Sequence, residues 1–215
     1  MDIGVDIVDI TAIAARAPVI PVLTIERTAD AVPLARALLK GGLPVLEVTL
    51  RTPAAVEALR AIAAEVPEAV LGAGTLLQVR QFDEVRRAGA TFAVCPGCTP
   101  QLVAAAKAAG LPFLPGIQTV SEAMALAEQG ATVMKFFPAG AAGGIAWLKA
   151  AEAPLGSLRF CPTGGVTAEN APHYLALGNV ACVGGSWVAP RQAVAAGDWG
   201  CIERLAAAAS QLKRR

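Results

Sequence analysis

Lys135 is a charged residue inside an otherwise apolar run, residues 131–138, that has the composition of a buried strand. Burial disfavours the ammonium form of a lysine, and the free amine that results is a nucleophile that forms Schiff bases with carbonyl substrates. The other four lysines fall in helix-like segments or in the C-terminal tail: Lys40, Lys107, Lys149 and Lys213. Lys135 is therefore the candidate nucleophile. A snorkelling or ion-paired strand lysine is the alternative interpretation of this residue taken alone.

Three polar side chains alternate along the apparent strand that begins near residue 44. In a strand, Glu47, Thr49 and Arg51 point to the same side, with successive members about 6–7 Å apart. Glu47 is the acid that stands inside an apparent strand, so it is a candidate for proton transfer. The Arg51 guanidinium suits a carboxylate ligand. A structural ion pair between Glu47 and Arg51 is the alternative interpretation.

Small residues and glycine-rich turns follow three other apparent strands. Residues 71–75 leave room inside a fold and end in Thr75, whose hydroxyl can donate to a substrate oxygen. Two glycine-rich turns, residues 163–165 and 184–186, follow consecutive strands near the C-terminus. Glycine lets backbone N–H groups approach an anion closely, so the two turns predict a phosphate site. Ordinary turns between strand and helix are the alternative.

Apolar strand-like segments alternate with Ala- and Leu-rich helical segments along the chain. The candidate strands begin at intervals of 20 to 27 residues, near Val19, Pro44, Ala69, Thr91, Pro112, Thr132, Arg159 and Val180. Continuous apolar strands joined by helices are typical of a parallel sheet covered on both faces. Eight such units predict an α/β fold, a (β/α)8 TIM barrel, as a single domain over residues 1–215. A short N-terminal helix over residues 5–15 would cover the bottom of this barrel, and an open doubly wound sheet is the alternative fold.

The composition argues against several classes of partner. A net charge of +1 provides no basic surface for nucleic acid, and no apolar segment reaches the roughly 20 residues that span a bilayer. The N-terminal sequence is acidic where a secretory signal is basic. The expected location is therefore the cytoplasm, without a membrane or nucleic-acid partner.

Five cysteines fit the role of small buried side chains in a reducing compartment: Cys95, Cys98, Cys161, Cys182 and Cys201. Cys95 and Cys98 form a CxxC sequence, which a redox pair or half of a zinc site would also contain. The chain has no second CxxC, and His173 is its one histidine, so a tetrahedral zinc site lacks ligands. The sequence predicts neither a metal nor a cofactor, and redox or metal use of the CxxC is the alternative.

Five stretches carry a resemblance to a known family, which extends from about Pro18 to Trp199. They are Leu46–Thr52, Gly72–Thr75, Lys135–Ala139, Arg159–Gly165 and Gly184–Trp187. Together they resemble the class I 2-keto-3-deoxy-6-phosphogluconate (KDPG) aldolases, of the KDPG and 4-hydroxy-2-oxoglutarate aldolase family. The resemblance implies a lyase that cleaves a phosphorylated 2-keto-3-deoxy sugar acid to pyruvate and glyceraldehyde 3-phosphate without a metal. It also implies a homotrimer.

The resemblance assigns roles to individual residues. Lys135 would be the Schiff-base lysine and Glu47 the proton-transfer residue, while Arg51 and Thr75 would bind the carboxylate end of pyruvate. Pro96 and Phe137 would line the pocket. The phosphate and the rest of the substrate would lie on the two glycine-rich turns, at Thr163, Gly164, Gly165, Gly185 and Ser186.

Four positions depart from the family pattern. Cys95 stands where serine is common, Gly140 replaces a frequent acid, and the pair Gln118 and Thr119 is less usual. The last difference bears on contacts to the middle hydroxyls of the substrate. Activity on 4-hydroxy-2-oxoglutarate or on the 6-phosphogalactonate epimer therefore stays open, as does a non-catalytic phosphosugar-binding barrel.

Overall fold

A short helix, α1, is the first element of the computed structural model, which describes residues 9–215. It spans Ile10–Ala14 and begins at Asp9, whose side chain accepts a hydrogen bond from the N–H of Thr11. The Thr11 hydroxyl lies 3.4 Å from that of Thr132, which stands one residue before the strand that carries Lys135. Helix α1 thus covers the N-terminal end of that strand, as predicted. Residues 5–8 of the predicted helix lie outside the described residues.

The strands follow the predicted spacing closely. Within the described residues they are β1 Val19–Leu23, β2 Val45–Thr49, β3 Val70–Gly74, β4 Phe92–Val94, β5 Phe113–Leu114, β6 Gly116–Ile117, β7 Val133–Phe136, β8 Arg159–Pro162 and β9 Val183–Gly185. Seven of the eight predicted starts lie within one residue of an observed strand start. The eighth is displaced, because Val180 makes only an isolated bridge to Phe160 and the strand begins at Val183.

Helices connect the strands, so the predicted alternation of strand and helix is confirmed. They are α2 Ala31–Lys40, α3 Ala55–Glu65, α4 Arg80–Arg87, α5 Pro100–Ala109, α6 Val120–Ala127, α7 Gly144–Glu152, α8 Ala171–Leu175, α9 Arg191–Ala196 and α10 Trp199–Ser210, with a 3-10 turn at Thr28–Asp30 before α2. Local sequence fixes several helix ends. Thr99 caps α5 ahead of Pro100, and Gly110 ends α5 in the left-handed region at φ 65°.

Every strand pairing is parallel, and the strands form a curled sheet in two ladders. The first has the order β5-β4-β3-β2-β1-β9 and the second the order β6-β7-β8. Isolated parallel bridges, Phe160 to Val180 and Thr163 to Gly184, join β8 to the β9 segment. Pro115 separates β5 from β6, because proline lacks the N–H that a ladder requires. The predicted closed barrel is therefore corrected to a curled parallel sheet whose ladder is not continuous.

Among residues 9–215, two apolar clusters form the core. The larger lies between the strands and the surrounding helices. The smaller lies inside the curl and takes side chains from α1 and from most strands, including Ile13, Val45, Phe92, Leu114 and Cys161. Strand alternation produces this division, because successive side chains point to opposite faces of the sheet. No helix among residues 9–215 is long and apolar enough to cross a membrane.

Candidate active site

Lys135 and Glu47 form a buried ion pair inside the curl of the sheet. The Lys135 Nζ lies 2.9 Å from one carboxylate oxygen of Glu47 and 3.2 Å from the other. The two residues are only 4% and 2% exposed. Each charge is therefore balanced by its partner in a medium where an unpaired charge is costly. No ion pair joins Glu47 to Arg51 in the described chain, so the predicted alternative partner of Glu47 is not the one observed.

The direction of the Lys135 side chain is set by its neighbours on β7. Phe136 points outward and stacks on Trp147 of α7, with ring centroids 4.4 Å apart. Alternation then directs Lys135 inward, above the buried Val133. On β2, the same alternation places Glu47 and Thr49 on one face, and the Thr49 hydroxyl donates to the carbonyl of Leu23 at 2.8 Å.

Gly74, the last residue of β3, makes space for the Glu47 carboxylate. A Cβ at Gly74 would overlap that carboxylate, and a Cβ at Gly72 would overlap the ring of Phe92. In the β2–β3 ladder Gly74 pairs with Thr49, and Gly72 pairs with Glu47. The Glu47 carboxylate therefore reaches along the sheet from its own pairing position to Gly74. The glycines of β3 thus determine how closely its neighbours can pack, and Gly74 lets the carboxylate lie flat against the strand.

A cavity of about 460 Å³ opens next to the ion pair at the C-terminal ends of the strands. Its wall includes Arg51, Phe137, Thr163 and Ser186, together with Val22, Pro138, Ala141, Gly164, Gly165, Val166 and Gly184. The Lys135 Nζ lies 5.6 Å from the centre of the Phe137 ring, which connects the buried amine to this cavity. A larger groove of about 1090 Å³ shares Val22, Arg51 and Ser186 with it and extends outward.

The turn after β8 is shaped for close approach of its backbone. Gly164 and Gly165 have φ values of 90° and 79°, a region that favours glycine. Their carbonyls accept hydrogen bonds, from the N–H of Gly140 and from the Asn170 side chain, both at 2.9 Å. Their own N–H groups donate to no other described residue. A turn whose carbonyls are hydrogen-bonded and whose N–H groups are free of protein partners can bind an anion.

The remaining predicted site residues occupy three strand ends. Thr75 directly follows β3 in a left-handed conformation, φ 63°, which is uncommon for threonine. Pro96 follows β4, and its carbonyl packs against Gly116. Gly185 faces Trp187, and its neighbour Gly184 lines the cavity. The structure therefore brings the predicted residues to one end of the sheet, but Thr75, Pro96 and Gly185 are not among the residues that line the 460 Å³ cavity.

Comparison with known proteins agrees with this geometry. A family model described as KDPG and KHG aldolase covers residues 10–205. The chain belongs to this aldolase family. A KHG/KDPG aldolase of Escherichia coli K12 is 52% identical over 189 residues, which cover 88% of this chain and 89% of the relative.

Solved structures of other family members have the same fold. The KDPG aldolase of Legionella pneumophila, with pyruvate captured as a covalent carbinolamine, is 47% identical, with a TM-score of 0.91 over 94% of this chain and 98% of that one. The enzyme of Zymomonas mobilis ZM4, with 3-phosphoglycerate, is 46% identical, with a TM-score of 0.91 over 97% and 98%. These two proteins therefore hold a keto acid and a phosphate compound on the shared fold.

Four cavity residues of this aldolase-family chain escaped the sequence prediction: Val22, Pro138, Ala141 and Val166. Gly184 belongs to the predicted turn 184–186 but was given no role of its own. Gly184 had a usable signal, because it stands two positions after the inward-facing Cys182. A Cβ at Gly184 would overlap the Thr163 hydroxyl, so the two strand ends are in close contact. The others are small or apolar residues whose types carry no chemical signal.

The cysteines near the site are free thiols. Cys161 is the register partner of Lys135 on β8. A hydrogen bond to Cys161, together with burial, raises the pKa of Cys182 well above its ordinary value of 9.0, so Cys182 stays protonated. Among residues 9–215 no group of three or more His, Cys, Asp or Glu side chains is arranged to hold a metal ion.

Proposed function

We propose that this protein is a class I aldolase that cleaves KDPG to pyruvate and glyceraldehyde 3-phosphate through a Schiff base on Lys135. The observation that carries the proposal is the buried Lys135 amine, 2.9 Å from the Glu47 carboxylate, next to a cavity lined by Arg51 and two glycine-rich turns. Family relatives 46–52% identical to this chain bear the name of this activity.

The first half of the reaction makes the electron sink. Glu47 takes one proton from the Lys135 ammonium, and the free amine attacks the C2 ketone of the substrate to give a carbinolamine. Glu47 then returns the proton to the C2 hydroxyl, which leaves as water. The product is a protonated imine between C2 and Lys135. Glu47 is suited to both transfers because its carboxylate already contacts the lysine nitrogen.

In the second half of the reaction the C3–C4 bond breaks and C3 is protonated. Glu47 removes the C4 hydroxyl proton, the C3–C4 electron pair moves into the iminium, and glyceraldehyde 3-phosphate departs. The resulting enamine takes a proton at C3 from Glu47, and water hydrolyses the imine to release pyruvate and the free lysine. The iminium is itself the electron sink, so this scheme requires no divalent metal and no cofactor.

Binding groups at the cavity hold the two ends of the substrate. Arg51 offers a planar fork of donors for the C1 carboxylate, and Thr75 adds a hydroxyl at the neighbouring strand end. Phe137 and Pro96 supply apolar surface near C2 and C3. Thr163, Gly164, Gly165, Gly185 and Ser186 belong to the turns that receive the phosphate. Binding energy from the phosphate end orients the reacting carbons over Lys135.

Borohydride reduction in the presence of pyruvate tests the covalent step. We expect a reduced pyruvate adduct on Lys135 in peptide mass mapping, and cleavage of KDPG that is unchanged by a chelator. The Lys135→Met variant should give neither adduct nor cleavage. A protein that turns over KDPG while position 135 stays unmodified would contradict the proposal. Binding of KDPG without pyruvate release would instead indicate a non-catalytic phosphosugar-binding barrel.

Substrate choice is proposed to favour KDPG over 4-hydroxy-2-oxoglutarate, because only the former carries the phosphate that the glycine-rich turns would hold. Ser186→Ala should therefore raise KM for KDPG and leave KM for 4-hydroxy-2-oxoglutarate near the parent value. Ser210→Ala, in α10 and outside the cavity, is the matched control. Equal effects of Ser186→Ala on both substrates would place the phosphate elsewhere. The 6-phosphogalactonate epimer, assayed in parallel, tests selection at C4.

The assembled form is also part of the proposal. We expect residues 1–215 to form one (β/α)8-type domain around the curled sheet. Four large apolar side chains are exposed on the β3–α4 connection and on α6: Leu77, Val79, Val120 and Met124. Two separate apolar patches suit a ring in which one patch of each copy meets the other patch of the next, so a homotrimer is proposed. The free cysteines suit a cytoplasmic location.

A further inference from the structure

Cys95 and Cys98 flank the Pro96–Gly97 turn between β4 and α5, and the aldolase mechanism uses neither thiol. Cys95 is fully buried, and its Sγ accepts a hydrogen bond from the N–H of Gly116 at 3.5 Å. Cys98 is partly exposed, and its Sγ donates a hydrogen bond to the carbonyl of Thr99 at 3.6 Å. A Cβ at Gly97 would meet nothing within 4 Å, so the turn has open space around it. Two cysteines separated by a Pro-Gly turn have the spacing of the CxxC redox motif.

The two thiols differ in reactivity. Cys98 stands just before Thr99, the N-cap of the ten-residue helix α5, where partial positive charge favours a thiolate. The neighbouring Cys95 thiol lowers the pKa of Cys98 below 9.0, and burial opposes this. The same thiol contact, with burial, raises the pKa of Cys95. The accessible sulfur is thus the nucleophile, and the buried sulfur is the thiol that can resolve it.

We propose that Cys95 and Cys98 are a site of reversible oxidation by hydroperoxides, where an intramolecular disulfide forms and slows the neighbouring lysine site. The effect on turnover rests on the proposed aldolase function; the thiol chemistry does not.

The oxidation balances with hydrogen peroxide as the two-electron oxidant. The Cys98 thiolate attacks one peroxide oxygen, the O–O bond breaks, and Cys98 becomes a sulfenic acid as hydroxide leaves. The Cys95 sulfur then attacks the Cys98 sulfur and displaces the hydroxyl group, which leaves as water with the Cys95 proton. Two thiols and one peroxide give one disulfide and two waters. A dithiol reductant reverses the reaction by thiol–disulfide exchange.

Contacts of Gly116 connect this pair to the reaction centre. Gly116 is the register partner of Lys135 in the β6–β7 ladder. A Cβ at Gly116 would overlap the carbonyl of Pro96 and approach that of Cys95, so β6 packs directly on the CxxC turn. Drawing the Cys95 sulfur toward Cys98 removes its hydrogen bond with Gly116 and moves Pro96. The disulfide therefore disturbs the strand beside Lys135, together with Pro96, which the proposed function places against the substrate.

The test treats the full-length protein with hydrogen peroxide, alkylates the remaining thiols and maps tryptic peptides. Both cysteines fall in one peptide, residues 88–107, between Arg87 and Lys107. We expect this peptide to escape alkylation and to lose two hydrogen atoms, while KDPG turnover falls severalfold and returns with dithiothreitol. Cys98→Ser should keep its turnover after peroxide. Cys95→Ser should accumulate a sulfenic acid on Cys98 that dimedone labels. Cys201→Ser, which changes the other partly exposed cysteine, should respond like the parent.

Three results would overturn the proposal: an alkylated 88–107 peptide after peroxide, equal loss of turnover in Cys98→Ser, or a disulfide that leaves turnover unchanged. The rate of the reduced parent is measured first. If the reduced parent does not cleave KDPG, the aldolase function fails, whereas the peptide masses still decide whether the disulfide forms.

Discussion

At the residue scale, the stability of the site depends on the pairing of Lys135 with Glu47. Lys135→Met leaves the Glu47 carboxylate buried without its partner, so we expect the free energy of unfolding to fall by about 3–5 kcal/mol. Glu47→Leu should cost a similar amount, because it leaves the ammonium unpaired. The double variant should recover most of the loss, since replacing a whole buried pair by apolar side chains is often neutral. Urea unfolding at one protein concentration measures all four proteins.

The comparison of these four proteins is a double-mutant cycle, and it distinguishes an ion pair that stabilises the fold from one that serves catalysis. A double variant as unstable as the two single losses added together would mean that the charges act independently. A stable but inactive double variant is the expected outcome, because the pair is then retained for chemistry rather than for folding.

The sequence predicted the placement of these two residues better than their partnership. An apolar run marked Lys135 as buried, and alternation put Glu47 on the inner face of its strand. The observed contact joins residues 88 positions apart. Local spacing instead suggested Arg51 as the partner of Glu47, because sequence patterns report neighbours along a strand and not which strands face each other. Val22 and Ala141 were missed because their side chains have no distinctive chemistry.

At the scale of the element, strand β3 positions the Glu47 carboxylate because Gly74 has no side chain to displace it. Gly74→Ala places a methyl group where Glu47 now lies, so the carboxylate must move away from Lys135. We expect kcat for KDPG to fall by about 100-fold, the scale of a 1 Å misplacement. Gly97→Ala, which meets nothing within 4 Å, is the matched control and should leave kcat unchanged.

A second variant shows whether Gly74 acts through Glu47. Once Glu47→Gln has been introduced, adding Gly74→Ala should lower kcat little further. Fully additive losses in the double variant would show that Gly74 affects catalysis by another route.

Helix α6 offers a test at acid pH. Glu122 and Thr119 form a capping box at its start. Burial would raise the pKa of Glu122, but hydrogen bonds from the N–H groups of Gln118 and Thr119 outweigh it and lower the pKa below 4.5. A depressed folded-state pKa stabilises the fold above pH 4.5, and the stabilisation is lost as pH falls through the folded-state value. Glu122→Gln should therefore lower the free energy of unfolding by about 1 kcal/mol at pH 7, and by progressively less below pH 4.5.

Glu128→Gln is the control for this comparison, because Glu128 is exposed at the other end of α6. A carboxylate there opposes the helix dipole, so its removal should not destabilise the protein at pH 7. If the loss in free energy of unfolding caused by Glu122→Gln stays constant from pH 7 to pH 3, the capping carboxylate is not its cause. Chemical unfolding at each pH gives both differences.

Element positions were largely predictable, and the exceptions have local causes. Apolar runs bounded by glycines placed seven strand starts within one residue. The fifth strand is split because Pro115 interrupts its hydrogen bonds. The last begins at Val183 and not at Val180, because pairing with β1 begins only at Val19 and Val183. Apolar character marks burial, whereas pairing decides where a ladder begins.

At the scale of the whole molecule, the eight-unit repeat predicted a curled parallel sheet but not how its edges meet. Sequence spacing counts units, and closure depends on the stagger of strands that are far apart in the chain. Here β8 reaches the β9 segment through two isolated bridges, at Val180 and Gly184. The interior is filled by the cluster that contains Val45 and Phe92, so packing rather than a continuous ladder supports the site.

The proposed trimer is the prediction at this scale. Light scattering should give three times the 21.8 kDa mass of the chain. Val79 and Met124 are both 54% exposed, so a glutamate at either position should cost little in an isolated subunit but should place charge in the apolar interface. Val79→Glu and Met124→Glu are therefore expected to shift the mass toward 21.8 kDa. Ala64→Glu, on the exposed face of α3, is the control and should remain trimeric. A monomeric parent, or a Met124→Glu variant with unchanged mass, would exclude this interface, because heterologous contacts in a ring are identical and each would carry the same charge.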